Sequence, residues 1–252
     1  MIYLALSPPE SLILFVHGFR GKGTKTWGKA AGRLLADDRF AGCDLLFYDY
    51  SCRGRQVQRL ALDIMGICDA AESNPVSIVA NAGFTLVRKP DFRYKSLLLV
   101  CHSLGALLAR RAMIDAVNSG QAWPGRTRLL LFAPAHMGAR VKELLHMTLA
   151  PIPLPLEALF RTAYPCLSEL EQDSTTLKAL SAQTEQLLPR TPTMTAWGVV
   201  IADIEQVVET TPFLSDPPPF PPVDGTNHVS VCKADDGNQD PLERIAGCLT
   251  AP

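Results

Sequence analysis

The sequence predicts an α/β fold in which a mostly parallel central sheet carries helices on both faces. Short runs that are apolar throughout alternate along the chain with longer segments whose apolar residues recur at helical spacing. Strands that are apolar on both sides are typical of a parallel sheet whose two faces are covered. With 47% apolar side chains, residues 1–252 suffice for one domain with a sizeable core.

Each predicted strand and helix follows from one of these two patterns. Apolar runs predict strands over residues 11–16, 44–50, 97–101, 128–133 and 193–202. Helical spacing predicts helices over residues 27–40, 55–71, 104–117, 167–188 and 242–249. Glycines after the first strand indicate a flexible loop there, and residues 74–92 fit neither pattern.

The alternation breaks in one long interval, residues 139–190, where no strand pattern occurs. Insertions of this length in a compact domain often cover a functional site, so the interval is predicted to be a helical cap or lid. The alternative is a helical flap that only packs onto the domain. Its many leucines suit a lid over an apolar substrate, or transient contact with a membrane surface.

Composition excludes several classes of partner and location. The net charge is −1 and no basic block occurs, so no nucleic-acid partner is expected. The apolar runs are too short to span a bilayer, and residues 1–10 lack the pattern of a signal peptide. Seven cysteines without paired spacing indicate reduced thiols and a cytoplasmic location. His228 and Cys232 have no second pair of ligands, so neither metal nor cofactor is expected.

The stretch LLLVCHSLGALLAR, residues 97–110, places Ser103 between a predicted strand and a predicted helix. A sharp turn at that junction exposes a serine hydroxyl and frees the next backbone N–H, that of Leu104, to bind an oxyanion. Gly105 fits the pattern G-x-S-x-G, but Cys101 stands where that pattern has its first glycine. We expect the small Cys101 to be tolerated. The alternative role for Ser103 is that of a helix N-cap.

His17-Gly18-Phe19 follows the first strand, and in a parallel sheet this loop lies beside the serine turn. The backbone N–H of Phe19 is therefore a candidate second oxyanion donor. Gly18 lets the backbone approach closely. His17 is expected to order this turn through hydrogen bonds rather than to act in catalysis.

Chain order selects the candidate base and acid. In the chain order serine, acid, histidine, the base comes last. His228, in the loop before the last helix, fits that position. The acid is expected just after the fifth strand, where Glu205 and Asp203 both lie. Glu205 is favoured slightly, Asp203 is the alternative, and Asp224 is a weaker third candidate.

With these residues in place, the chain resembles the α/β-hydrolase superfamily. More narrowly, it resembles lipase-like serine esterases of the branch that includes the GPI inositol-deacylase-like proteins. The matching pieces, in family order, are LFVHGFRGKGTKTWG, LLFYDYSCRG, LLLVCHSLGALLARRAM, LLFAPAHMGA and GTNHVSVCKADD. The resemblance implies Ser103 as nucleophile, His228 as base, and Phe19 and Leu104 as oxyanion donors. Aspartate is the more usual acid in the family, so Glu205 is a departure that leaves the acid open.

The resemblance implies hydrolysis of carboxylic esters, often of lipids. The predicted function is therefore a serine hydrolase that cleaves a small-molecule or lipid ester through an acyl-enzyme on Ser103. Two alternatives remain at this stage, because a fold alone does not fix a function. One is a non-catalytic protein of the same fold that binds an apolar ligand or a partner. The other is an acyltransferase or thioesterase that uses the same three side chains.

Overall fold

The computed structural model describes residues 1–5, 9–81, 91–148 and 154–251. The described residues contain the strands β1 (Ile2–Tyr3), β2 (Ser11–Val16), β3 (Cys43–Tyr48), β4 (Ser96–His102), β5 (Thr127–Phe132), β6 (Gly198–Val200), β7 (Ala202–Ile204) and β8 (Val223–Asn227). Their helices are α1 (Ala30–Leu35), α2 (Val57–Ser73), α3 (Pro75–Asn81), α4 (Leu104–Asn118), α5 (Val141–Thr148), α6 (Leu154–Ala163), α7 (Cys166–Glu169), α8 (Thr175–Leu187) and α9 (Asp240–Thr250).

The predicted parallel sheet is confirmed. Six strands form one sheet in the order β1-β3-β2-β4-β5-β6, and only the edge strand β1 runs antiparallel to its neighbour. All six residues of β2 are buried, as expected for a strand covered on both faces. Because β2 and β4 are adjacent and parallel, with Val16 opposite Cys101, the segments that follow both strands emerge at the same edge.

Three predicted elements prove shorter than their patterns. The strand predicted over 193–202 covers only Gly198–Val200, because a proline-led 3₁₀ turn occupies Pro192–Met194. The helix predicted over 27–40 shrinks to α1, because Gly28 adopts φ 62° and ψ −124° and breaks it. The helix predicted over 167–188 becomes α7 and α8, separated by a bend at Asp173 with φ 64°.

The sequence patterns also missed elements. Strand β1 is only two residues long, and β7 pairs with β8 in a separate small parallel sheet. Helix α3 lies in the interval 74–92 that fitted neither pattern, and residues 82–90 of that interval lie outside the described residues. Short strands and strands with alternating polar residues give weak patterns, because little apolar surface identifies them.

The later part of the insertion 139–190 packs against the body of the domain. The backbone N–H of Gly54 donates to the carbonyl of Ala163 at 2.8 Å, and that of Val57 donates to the Glu169 carboxylate at 2.7 Å. Farther along, α8 packs on α4, where Arg111 donates to the side chain of Gln183. Helices α6 to α8 are thus attached to the loop after β3 and to α4.

The seven cysteines all lie among the described residues, where they are buried and free of disulfides. Along the described ranges, no helix combines the length and the apolar character needed to cross a bilayer. In the same part of the chain, no group of His, Cys, Asp or Glu side chains is arranged to hold a metal ion.

A buried ion pair holds the segment between β7 and β8 against α4. Arg110 of α4 donates to Asp216 at 2.6 Å, and both side chains are almost fully buried. The other carboxylate oxygen of Asp216 accepts the backbone N–H of Ala196 at 2.8 Å. Burial lowers the pKa of the Arg110 guanidinium, and the neighbouring Asp216 opposes that shift. The pair therefore fixes two segments of chain to one helix.

We predict that Asp216→Ala lowers the free energy of unfolding by about 3–5 kcal/mol, because it leaves the Arg110 cation buried without its partner. Asp236→Ala is the matched control, since Asp236 pairs with Lys29 and Arg33 but is exposed to water. Urea unfolding followed by circular dichroism measures both. Equal effects of the two substitutions would contradict the prediction.

Candidate active site

Ser103 sits on a strained turn between β4 and α4. Its backbone has φ 52° and ψ −120°, a conformation that L-residues rarely adopt. The residue occupies the N-cap position of α4, yet its hydroxyl makes no capping hydrogen bond. Instead, the Ser103 Oγ lies 3.0 Å from Nε2 of His228. The turn thus directs the hydroxyl away from the helix and toward an imidazole.

Gly105 makes this turn possible. A Cβ at position 105 would lie 2.3 Å from the carbonyl oxygen of Val16 and 2.7 Å from that of His17. Those oxygens belong to the backbone, so they cannot move aside without displacing the end of β2. The glycine therefore lets α4 begin directly against the neighbouring strand.

Cys101, the departure from the glycine pattern, lies inside the sheet. Its side chain is fully buried in β4, opposite Val16 on one side and Leu131 on the other. Burial raises the pKa of its thiol well above the usual value. The thiol is therefore protonated at neutral pH and does not compete with Ser103 as a nucleophile.

His228 joins the serine to a carboxylate. Its Nδ1 lies 3.1 Å from each carboxylate oxygen of Glu205, and its Nε2 faces the Ser103 hydroxyl. With the proton on Nδ1, the ring donates to Glu205 and accepts from Ser103 at Nε2. The side chains of His228 and Glu205 are 1% and 4% exposed. The chain of hydrogen bonds is therefore shielded from water up to the serine.

Glu205 is held by its own loop as well as by the histidine. One carboxylate oxygen accepts the backbone N–H groups of Val207 at 2.8 Å and Val208 at 3.1 Å. Burial raises the pKa of this carboxyl group, but the hydrogen bonds from His228 and from the two N–H groups lower it more. The net pKa lies below the usual value, so Glu205 is ionised at neutral pH.

The two other candidate acids lie elsewhere. Asp203 is exposed on β7 and accepts the backbone N–H of Gly225 at 3.3 Å. Asp224 is exposed on β8. The structure therefore brings Glu205 against His228, and neither of the aspartates.

The His17–Gly18–Phe19 loop lies against the serine turn. A Cβ on Gly18 would meet both the His102 ring and the Ser103 Cβ at 2.9 Å. His17 Nδ1 donates to the Gly18 carbonyl at 2.8 Å, while its Nε2 accepts the Tyr50 backbone N–H at 3.3 Å. The His17 ring also stacks on that of Tyr50. His17 therefore orders this loop, the role expected from the sequence.

Two backbone N–H groups remain available near the serine. Within the described residues, the N–H of Phe19 and the N–H of Leu104 donate to no other group of the protein. Leu104 is the first residue of α4, where backbone N–H groups have no partner within the helix. The positive end of the helix dipole adds to their capacity to stabilise a developing negative charge.

Sequence reasoning missed a contact of His102. Its Nε2 donates to the backbone carbonyl of His228 at 2.7 Å. Burial and the neighbouring His228 lower the pKa of His102 to about 3, so the ring is neutral. This bond fixes the backbone of His228 beside the serine. Its partners are 126 positions apart, so no local pattern reveals it.

The two remaining histidines take no part in this arrangement. His136 is buried behind the serine turn, with its ring close to Phe213. His146 is exposed in the last turn of α5.

A cavity of about 310 Å³ opens beside Ser103. One wall is the end of α5, with Leu144, Met147 and Thr148. The loop that begins at Gly18 and the loop after His228 also line the cavity. The first helix of the insertion therefore borders the space in front of the serine.

Residues 13–249 match the Alpha/beta hydrolase family, and the chain belongs to that family. The lipase BlEst2 from Bacillus licheniformis, in its mature form, superposes with a TM-score of 0.56 at 14% identity, covering 92% of this chain and 91% of the lipase. Phospholipase PlaB from Legionella pneumophila gives 0.52 at 16% identity, covering 77% of this chain and 39% of that one. At such identities the likeness shows a shared fold alone. No curated protein matches the chain.

We predict opposite effects for alanine at two helical glycines. Gly105→Ala lowers the free energy of unfolding by about 1–3 kcal/mol, because the methyl group overlaps the end of β2. Gly32→Ala, in α1 where nothing lies within 4 Å of the added Cβ, is the control and raises it by about 0.5–1 kcal/mol. Denaturant titrations of both variants test the sign. A stabilised Gly105→Ala protein would show that the close contact does not constrain the turn.

Proposed function

We propose that the protein is a serine hydrolase that cleaves carboxylic esters with apolar acyl groups. The observation that carries the proposal is the continuous chain of hydrogen bonds from Ser103 through His228 to Glu205. Among the described residues, the N–H groups of Phe19, in the loop beside the serine turn, and of Leu104, next to Ser103 in the chain, make no other hydrogen bond within the protein. Nucleophile, base, acid and oxyanion donors are the four components that acyl transfer to serine requires.

The proposed reaction has two halves. Ser103 Oγ attacks the ester carbonyl while His228 Nε2 takes the hydroxyl proton, and Glu205 stabilises the resulting imidazolium. The N–H groups of Phe19 and Leu104 bind the oxyanion that forms. His228 then returns the proton to the leaving alcohol, which leaves an acyl group on Ser103. Water, activated by the same histidine, attacks that acyl-enzyme and releases the acid.

We further propose that residues 139–190 form the cap over this site. Leu144 and Met147 supply an apolar wall for the acyl group. Farther along the cap, the ring of Tyr164 contacts that of Phe19 edge-on, with centroids 5.2 Å apart. The cap therefore adjoins both the cavity and an oxyanion loop. Its apolar surface is also the part that would meet a membrane surface.

Two finer parts of the proposal rest on the sequence. The narrower resemblance to lipase-like serine esterases of the GPI inositol-deacylase-like branch supports a lipid-like ester as substrate. Seven buried, unpaired thiols support a reducing compartment, and we propose the cytoplasm.

A fluorophosphonate probe tests the nucleophile. We expect the wild-type protein to be labelled at Ser103, and labelling to be lost in Ser103→Ala and in His228→Ala, since the hydroxyl needs its base. His146→Ala is the matched control and keeps wild-type labelling, because His146 is exposed on α5. A folded wild-type protein that resists the probe, with and without detergent, would favour a non-catalytic binding protein.

Two substitutions separate the candidate acids. We expect Glu205→Gln to lower kcat for p-nitrophenyl butyrate by roughly a thousandfold, because a neutral amide does not stabilise the imidazolium. Asp203→Asn, which changes an exposed carboxylate, stays within about twofold of wild type. Because the pKa of Glu205 lies below its usual value, the carboxylate remains ionised through weakly acidic pH. A large loss in Asp203→Asn with little change in Glu205→Gln would reverse the assignment.

A further inference from the structure

The cavity beside Ser103 has a strongly basic side. Arg20, Lys22 and Lys25 line it from the loop after β2, and Lys233 lines it from the loop after His228. The described lining includes no aspartate or glutamate. Since the whole chain carries a net charge of only −1, this excess of positive charge belongs to the cavity and not to the protein surface in general.

These four cations are not neutralised by carboxylates. Among the described residues, none of the four forms an ion pair, and the guanidinium of Arg20 instead lies 3.4 Å from the hydroxyl of Tyr164. Neighbouring cations of the same region behave differently, because Lys29 and Arg33 both pair with Asp236. Arg20, Lys22, Lys25 and Lys233 thus bring four cations without carboxylate partners to one cavity.

Two carboxylates that contact histidines of this region do not line the cavity. Glu205 is buried behind His228 and is paired with it. Asp49 accepts the backbone N–H of Gly23 and lies 3.4 Å from the His17 ring. Asp49 borders two neighbouring depressions, both also lined by Lys22, and is not part of the cavity lining. The described cavity lining itself therefore carries four cations and no carboxylate.

The lining also includes apolar side chains. Phe19, Leu144, Met147 and Val229 provide the apolar surface. An acyl chain fits that surface, whereas a group that fits the basic side carries negative charge. Lysine ammonium groups, as compact point charges, suit phosphate oxygens.

The position of Lys233 indicates which part of the substrate is charged. Lys233 follows His228 by five residues and lines the same cavity. The leaving group must lie next to His228 Nε2 to receive its proton. We therefore propose that the substrate is an acyl ester or thioester whose leaving group carries phosphate.

The inference rests on the proposed hydrolase function and uses the same two half-reactions, on an ester or on a thioester. The bond between the acyl carbon and the leaving oxygen or sulfur breaks as Ser103 Oγ bonds to the acyl carbon. The serine proton passes through His228 to the leaving group, and water later releases the acid. The basic side chains attract and hold the phosphate during the first half-reaction.

Two pairs of substrates with the same acyl chain test the inference and separate two sources of phosphate. Butyryl-coenzyme A and S-butyryl-N-acetylcysteamine are thioesters with and without phosphate. Dibutyryl phosphatidylglycerol and tributyrin are the corresponding lipid esters. We expect kcat/KM to be higher for the phosphate-bearing member of at least one pair. A preference within the thioester pair indicates a soluble leaving group, and a preference within the lipid pair indicates a lipid leaving group.

The variant Lys22→Gln/Lys25→Gln/Lys233→Gln removes three of the four charges. In this variant, we expect the ratio of kcat/KM for the phosphate-bearing substrate to kcat/KM for the neutral substrate to fall about tenfold. In the wild-type protein, the same ratio falls as the salt concentration is raised, because salt screens the attraction between the charges. Lys95→Gln/Lys178→Gln is the matched control, because both lysines lie outside the cavity lining. It keeps the wild-type ratio.

Ligand binding does not require catalysis, so binding measurements can test the anion site independently of the proposed hydrolase function. Calorimetry measures binding of coenzyme A and of dibutyryl phosphatidylglycerol to Ser103→Ala, with and without the three lysine substitutions. If binding depends on the lysines but the fluorophosphonate probe does not label the wild-type protein, the anion site is supported and the proposed hydrolase function is contradicted. An active hydrolase whose substrate ratio and ligand binding ignore the three lysines would overturn the inference.

Discussion

The close contact between the first turn of α4 and the end of β2 is the constraint on which the rest of the site depends. At Gly105 the two backbones approach so closely that a single added methyl group would lie 2.3 Å from the Val16 carbonyl oxygen. The contact holds Ser103 in its strained conformation and brings the Phe19 loop beside it. A strained turn persists only where surrounding packing enforces it, and here the buried parallel strands do so.

Burial and hydrogen bonding act together at the proposed base and acid. A buried carboxylate is costly unless it is paired, and Glu205 is paired with His228 and with two backbone N–H groups. A second buried histidine, His102, holds the His228 backbone in place while remaining neutral. The geometry of the serine thus depends on polar contacts that water does not reach.

The loop that follows β2 combines two roles. Phe19 lies at the start of the loop that follows β2, and Lys22 and Lys25 lie a few residues farther along. One segment therefore carries both a proposed oxyanion donor and the proposed contacts to the leaving group. The insertion contributes the apolar wall through α5, while its later helices pack against the body of the domain.

The sequence by itself determined the parallel sheet, the serine turn and the late histidine, because each depends on residues close together in the chain. It left the acid open between Glu205 and Asp203, since both follow the same strand. Only the tertiary structure set Glu205 against His228, through contacts between β7, β8 and the loops that follow them. The bond from His102 and the clustering of basic side chains around the cavity also escaped the sequence. Hydrophobic periodicity records which residues are buried, but long-range packing decides which polar groups meet.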